Sequence, residues 1–355
     1  MKVGFLFFGY ICKQTKRKMI DYTRTAPYMD GKKILYVHGF ASSGATGTAK
    51  SIRQLLPKAD VVSPDIPIDP KEAIEFLHET CEREKPDLII GTSMGGMYTE
   101  MLYGHDRILV NPAFEIAETI IKNNGLGRRE FNNPRQDGAK DFLVTKGMVA
   151  EFKEVTAQCF GGVNDEERKR VFGMFGKQDT LVDTYDIFKA HYPNAIKFKG
   201  VHQLNDETLL HSVLPVIKWI DDKQEGRERP IIYVGRQDTL RYESGNTEGQ
   251  PLASAVKAFR WLNERYDMYI VSRSRIDQGE AMKKDLEWVD ENIGVPGWNR
   301  VMFTNQRNLL YGDYLIDRNT EDGAEEFLGT HLRLGDASFK TWEEMLTYFE
   351  RLGGQ

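Results

Sequence analysis

A serine with a glycine two positions to either side, Gly91-Thr92-Ser93-Met94-Gly95, ends the apolar run Leu88-Ile89-Ile90 and opens a stretch able to form a helix. Glycines at those places let a strand turn sharply into a helix, because no Cβ collides there, and the serine hydroxyl is thrown out above the sheet edge. A hydroxyl so presented becomes a nucleophile when a base takes its proton and an acid orients that base. In a strand-turn-helix arrangement the order along the chain is serine, carboxylate, histidine. The run Val171-Phe172-Gly173-Met174-Phe175-Gly176 leads into Lys177-Gln178-Asp179, and Ile196-Lys197-Phe198-Lys199-Gly200-Val201 leads into His202. Both exits fall on the side of a parallel sheet that carries Ser93. Ser93, Asp179 and His202 are therefore expected as nucleophile, acid and base.

The competitors are weaker. Asp183 and Asp186 fall in a predicted helix. Of the seven histidines, His78 and His191 lie on or near helical stretches, His211 lies inside one, and His105 and His331 have no partner motif. His38 belongs to the loop His38-Gly39-Phe40-Ala41-Ser42-Ser43-Gly44, whose small residues can bring backbone N–H groups up to a developing oxyanion. The backbone amides of Phe40 and Met94 are the expected oxyanion donors. Four signals in the correct order point to a serine hydrolase.

The elements that must position these residues are legible from the apolar patterning. Strands are predicted at 33–37, 60–63, 88–91, 107–110, 169–175 and 195–198, with helices near 46–56, 70–84 and 208–220. Strands alternating with helices on this rhythm imply a mostly parallel sheet covered on both faces. Between about 113 and 168 the pattern loosens into short amphipathic pieces broken by Asn123-Asn124-Gly125, Asn132-Asn133-Pro134 and Gly161-Gly162. This insertion is expected to act as a helical lid or pocket wall. The polar stretch 221–230, ending at Pro230, reads as a linker. A second α/β run follows over 231–355. Its strand-like pieces are at 231–234, 268–271, 300–303, 314–316 and near Leu332, and its helices at 252–265, 279–292 and 340–352.

Composition sets outer limits. At 355 residues the chain is longer than one hydrophobic core usually grows, so two domains are expected. A hydrophobic content of 40%, a charged content of 28% and a net charge of −5 suit a globular protein with no electrostatic reason to bind nucleic acid. Three widely spaced cysteines, Cys12, Cys81 and Cys159, form neither a disulfide framework nor a metal cluster. The apolar run Val3–Cys12 is too short to span a bilayer. Residues 1–32 read as an extra strand, as an upstream extension with the start at Met19 or Met29, or as a signal peptide.

Residues 33–220 resemble the small bacterial esterase family UPF0227, typified by YqiA, which has the α/β-hydrolase three-layer sandwich. The resemblance rests on Tyr36-Val37-His38-Gly39-Phe40-Ala41-Ser42-Ser43, Gly91-Thr92-Ser93-Met94-Gly95-Gly96, Asn111-Pro112-Ala113, and Asp179 and His202. It implies a cytoplasmic enzyme without a cofactor that acts on carboxylic esters or acyl thioesters. It also implies that Ser93, Asp179 and His202 form the catalytic triad.

Residues 231–355 resemble the haloacid-dehalogenase-like 5'-nucleotidases, a smaller Rossmann-like fold, through Gly312-Asp313-Tyr314-Leu315-Ile316-Asp317, Gly323-Ala324, Phe327 and Trp342. That family begins with a strand followed by Asp-x-Asp and uses Mg2+ held by these and later acidic residues. Here Gly235 and Gln237 stand at the two aspartate positions, and Arg318 takes the second place of the late pair. Ser272, Arg307 and Arg318 are then candidates for binding an anion without cleaving it. A purely structural domain, contacting the hydrolase or pairing with itself in a homo-oligomer, is the other reading. Asp238 lies in Gly235-Arg236-Gln237-Asp238-Thr239-Leu240, nearly the same six residues as Gly176-Lys177-Gln178-Asp179-Thr180-Leu181, and this reads as a shared strand-exit turn. Two alternatives to the esterase remain: a Mg2+-dependent phosphatase or nucleotidase in the second domain, and a non-catalytic binding protein whose triad is blocked by 113–168.

Overall fold

The structure is a computed structural model, and it describes residues 28–353 apart from 247 and 276. The expectations for Cys12 and for residues 1–27 lie outside the described residues.

Six parallel strands form the first sheet: β1 (Lys33–Val37), β2 (Asp60–Val62), β3 (Leu88–Thr92), β4 (Arg107–Val110), β7 (Val171–Gly176) and β8 (Ala195–Phe198), in spatial order β2-β1-β3-β4-β7-β8. Apolar side chains alternate to the two faces. Leu35, Val37, Ile89 and Leu109 pack into one core, and Ile34, Tyr36, Ile90, Ile108 and Val110 into the other. The helices α1 (Gly47–Leu55), α2 (Pro70–Glu84) and α3 (Met94–Glu100) connect the early strands. Helix α2 starts cleanly because the Asp69 side chain accepts the Lys71 and Glu72 N–H groups and Pro70 occupies the first turn, where its missing N–H costs nothing. From β1 the chain runs out to β2 on one side and then to β3 on the other. A crevice therefore opens above β1 and β3, where ligands bind in open α/β sheets.

The insertion after β4 contains the expected helical pieces, α4 (Ile116–Thr119), α5 (Lys146–Thr156) and α6 (Asp165–Arg170), and also an antiparallel hairpin. Its strands, β5 (Gly127–Glu130) and β6 (Asp141–Val144), were not expected, because Gly-Arg-Arg-Glu offers no apolar alternation to read. Strand β7 begins at Val171, two residues later than its apolar run suggested, because Lys169 and Arg170 finish α6. After α7 (Tyr185–Lys189) and β8, a short helix α8 (Asp206–Thr208) passes through a π turn at Leu209–Val213 into α9 (Leu214–Gln224). Helix α9 therefore takes in Asp221–Gln224 from the stretch read as linker. Asp221 is buried there by Lys32 and Arg227, and Asp222 is paired with Arg229.

A second, five-stranded parallel sheet follows, built from β9 (Ile231–Gly235), β10 (Asp267–Ser272), β11 (Val301–Phe303), β12 (Tyr314–Asp317) and β13 (Thr330–Arg333) in the order β11-β10-β9-β12-β13. The helices α10 (Ala255–Asn263), α11 (Gly279–Asn292) and α12 (Trp342–Leu352) send Phe259, Trp288 and Phe349 into the core on one face. Tyr233, Val271, Leu315, Ala324 and Phe327 make a smaller cluster on the other. The two sheets are joined by more than the chain. Val295, from the turn after α11, is 3% exposed and packs with Ile196, Ile217 and Ile220. Trp298 stacks on Trp219 and meets Phe172 edge-on.

Candidate active site

Ser93 occupies the turn between β3 and α3 with φ 54° and ψ −118°, a conformation L-residues rarely adopt, and here it aims the side chain away from the sheet. The close packing of α3 on the sheet explains the flanking glycines. A Cβ on Gly91 would overlap Thr99 Oγ1, and one on Gly95 would overlap the Val37 carbonyl.

His202 Nε2 lies 2.9 Å from Ser93 Oγ, and His202 Nδ1 lies 2.7 Å from Asp179 Oδ2. An ionised carboxylate only accepts, so the network assigns the imidazole proton to Nδ1 and leaves Nε2 to accept the serine O–H. Asp179 Oδ1 accepts the N–H groups of Leu181 at 2.8 Å and Val182 at 3.1 Å. Burial alone would raise the pKa of this carboxyl. The bond to His202 and the two amides outweigh it and hold the pKa below the usual carboxylate value. The Asp179 side chain is 2% exposed and that of His202 16%, so the carboxylate is enclosed while the imidazole keeps some contact with solvent. Asp183 and Asp186 make no hydrogen bond to His202 among the described residues, and Asp186 sits in the first turn of α7.

The loop after β1 comes up against the serine. A Cβ on Gly39 would stand 3.4 Å from Ser93 Cβ. Met94 is the first residue of α3, where a backbone N–H has no intrahelical acceptor. Buried His38 is the strut of this loop. Its Nε2 accepts the Ile66 N–H at 3.0 Å, so Nδ1 carries the proton and donates to the Gly39 carbonyl at 2.9 Å. Burial pushes its pKa down to about 4, which keeps the ring neutral. The insertion fastens onto the same loop: Asn132 N–H donates to the Ala41 carbonyl, Asn133 Nδ2 to Ser42 Oγ, and Ser43 Oγ to the Pro134 carbonyl. Phe40 meets Phe142 and Phe152 of the insertion edge-on, with centroids 5.4 and 6.2 Å away.

Two sets of contacts have no signature in the sequence. Asn111 directly after β4 hydrogen-bonds the loop that carries His202, a role with no spacing signature beyond the Asn-Pro that ends the strand. Beneath α3, fully buried Arg107 pairs with Glu167, and fully buried Glu100 accepts from Tyr192 Oη at 2.7 Å and the Phe160 N–H at 2.9 Å. Charged residues are usually solvated, so nothing in the sequence marks these as internal. Cys81 is buried and Cys159 partly so; burial raises both thiol pKa values, consistent with inert packing residues.

In the second sheet, two of the three candidate anion-binding residues, Ser272 and Arg307, are already occupied. Ser272 is fully buried and donates to Asp285 at 2.8 Å, with Arg236 Nε and the Gln237 amide against the same hydroxyl. Arg307 is spent on Asp317 at 2.7 Å and Asp322 at 3.1 Å. The Arg318 side chain is exposed, and its backbone N–H donates to Thr239 Oγ1. Asp238, at φ 49°, caps the Glu243 N–H and takes no part in the first site. The donor set does not fit Mg2+. Gly235 offers no ligand, Gln237 is neutral, Asp317 already accepts from Arg307, Thr239 and Asn319, and buried Arg236 adds a positive charge. Among the described residues, no group of three or more His, Cys, Asp or Glu is placed to hold a metal ion. No helix among them is long and apolar enough to cross a membrane.

Residues 33–207 match the model of the uncharacterised protein family UPF0227. The chain is 33% identical over 144 residues to the "Putative 5'(3')-deoxyribonucleotidase" of Vibrio phage KVP40 (isolate Vibrio parahaemolyticus/Japan/Matsuzaki/1991), covering 34% of this chain and 85% of that protein. Among solved structures, it is similar to the monoacylglycerol lipase of Paleococcus ferrophilus (15% identity, 54% of this chain and 94% of that one, TM-score 0.38). It is also similar to Est1E of Butyrivibrio proteoclasticus (17% identity, 56% and 88%, TM-score 0.38). The elbow and the loop after β1 thus lie within the stretch that matches the UPF0227 model, and the chain belongs to the family of the phage deoxyribonucleotidase homologue, in agreement with a haloacid-dehalogenase-like second part.

Proposed function

We propose that the protein is a serine hydrolase that cleaves small-molecule carboxylic esters or acyl thioesters through an acyl-enzyme intermediate. The observation that carries this reading is the unbroken chain Ser93 Oγ–His202 Nε2 and His202 Nδ1–Asp179 Oδ2, at 2.9 and 2.7 Å. Ser93 Oγ attacks the acyl carbon while His202 Nε2 takes its proton, and Asp179 stabilises the resulting imidazolium without itself becoming protonated. The carbonyl oxygen, now negative, takes the backbone N–H groups of Phe40 and Met94. His202 then protonates the leaving alcohol or thiol as the bond to the acyl carbon breaks. Water, activated by the same imidazole, releases the acid and restores Ser93. The aromatic contacts of Phe40 with the insertion favour an apolar acyl portion beside this loop.

The second domain, in this reading, is catalytically silent. Carboxylate partners on Ser272 and Arg307, and the missing side chain at Gly235, support a structural domain over a nucleotidase or an anion receptor. A fluorophosphonate probe should label Ser93 in the wild type, and p-nitrophenyl ester hydrolysis should vanish in Ser93→Ala. Absence of labelling together with absence of ester and acyl-CoA turnover would remove the hydrolase reading. Nucleotide hydrolysis that requires Mg2+ and persists in Ser93→Ala would restore the nucleotidase.

A further inference from the structure

We infer that Asn111 is a positioning residue for His202, its carboxamide fixing the loop that carries the imidazole relative to both Ser93 and Asp179. This rests on the serine-hydrolase reading and adds to it a residue outside the triad. Asn111 is the first residue after β4, the strand that lies between the serine's β3 and the acid's β7. It is 2% exposed, and its whole carboxamide is engaged. Nδ2 donates to the Val201 carbonyl at 3.1 Å and to the carbonyl of His202 itself at 3.0 Å, while Oδ1 accepts the Gly176 N–H at 2.7 Å. One side chain therefore ties the histidine's own backbone to the strand end three residues before Asp179.

Ahead of His202 the loop has little else to hold it: Val201 is 52% exposed, and apolar packing resumes only at Leu204, beyond the histidine. Two backbone bonds, Lys177 N–H to the Phe198 carbonyl and Gln178 N–H to the Gly200 carbonyl, stop short of residue 202. The last stretch before the imidazole is placed by the Asn111 amide. The backbone at Asn111 shows the same commitment. Its φ is 45°, in the left-handed region, and its N–H donates to the Met174 carbonyl at 2.8 Å. Asparagine tolerates that conformation better than other residues with a Cβ, and its short arm then reaches both neighbouring exits.

Two variants separate positioning from folding. Asn111→Asp retains the acceptor for Gly176 and tolerates the left-handed backbone, but turns a carboxylate oxygen towards two carbonyls. Asn111→Gly relaxes the backbone and removes the carboxamide. A displacement of about 1 Å in a reacting group costs on the order of 100-fold in rate. Both variants should therefore lose about 10- to 100-fold in kcat on p-nitrophenyl esters, with KM changed less than about two-fold. The far-downfield proton signal of the Asp179–His202 hydrogen bond should broaden or disappear in both, while each protein stays folded at the assay temperature. Full kcat with an unmoved proton signal in either folded variant overturns the inference. So does unfolding of both variants, because the carboxamide would then be holding the fold instead of the histidine. Failure of the wild type to react with a fluorophosphonate at Ser93 would instead remove the hydrolase reading itself.

Discussion

Asp179 is both hydrogen-bonded to the imidazole and enclosed, so its loss should register on catalysis far more than on stability. Asp179→Asn keeps the shape but allows the wrong imidazole tautomer. It should lower kcat about 10³- to 10⁴-fold on p-nitrophenyl esters, read against a wild-type pH-rate profile. His38 should register on stability. Its folded pKa, depressed from the usual 6.5 to about 4, means that between these values the unfolded chain takes up a proton which the folded chain refuses. That contribution is complete above pH 6.5 and is lost as pH falls towards 4. Denaturation midpoints measured across this range should fall less steeply in His38→Gln. At this scale the meeting of Ser93, Asp179 and His202 was legible, because the three residues occupy strand exits in a fixed order. The part played by Asn111 was not legible, although its Asn-Pro motif was: an amide that binds backbone carbonyls needs no partner residue type.

Elements were legible where apolar periodicity was strong and obscure where charge or loops set the structure. Helix α2 appeared over its full length because Ala73, Leu77 and Cys81 repeat at helical spacing behind an Asp-Pro cap. The β5–β6 hairpin stayed hidden because its first strand is polar and pairs only within the insertion. Helix α9 overran the expected linker because buried ion pairs to Lys32 and Arg227 hold Asp221 in place of apolar contacts. The link from α6 to β4 through Glu167 and Arg107 carries a sharper expectation. Glu167→Gln leaves a fully buried guanidinium without its carboxylate and should lower stability by about 3–5 kcal/mol in urea denaturation.

Across the whole molecule, the joint between the two sheets combines apolar packing with a buried charge. Trp298→Ala removes the stack on Trp219 and should cost about 2 kcal/mol, separating a single unfolding transition into two in calorimetry. Lys218 of α9 is 4% exposed at this joint. Burial, with Arg229 and Arg300 nearby, pushes its pKa down to about 8, against the opposing pull of Asp222 and Asp267. Below about pH 8 both folded and unfolded chains carry that proton, so the cost of burying the charge is complete; from there to 10.5 only the unfolded chain keeps it, and stability rises. Lys218→Met should therefore stabilise the protein by about 1–3 kcal/mol at pH 7, with the gain fading towards pH 10. The two-sheet organisation was legible from length and from the second run of strands. The joint was not, because Val295 and Trp298 sit in a turn whose residues show no periodicity.

The glycine at position 235 limits what this half of the chain can accept. Any side chain added there would run into the Asp317 carboxylate, which Arg307 and Thr239 hold in place. An aspartate at that point would press two like charges together, with the Arg307 guanidinium already bound to one of them. A single substitution at 235 would therefore crowd the Asp317 site instead of completing a pair of carboxylates there.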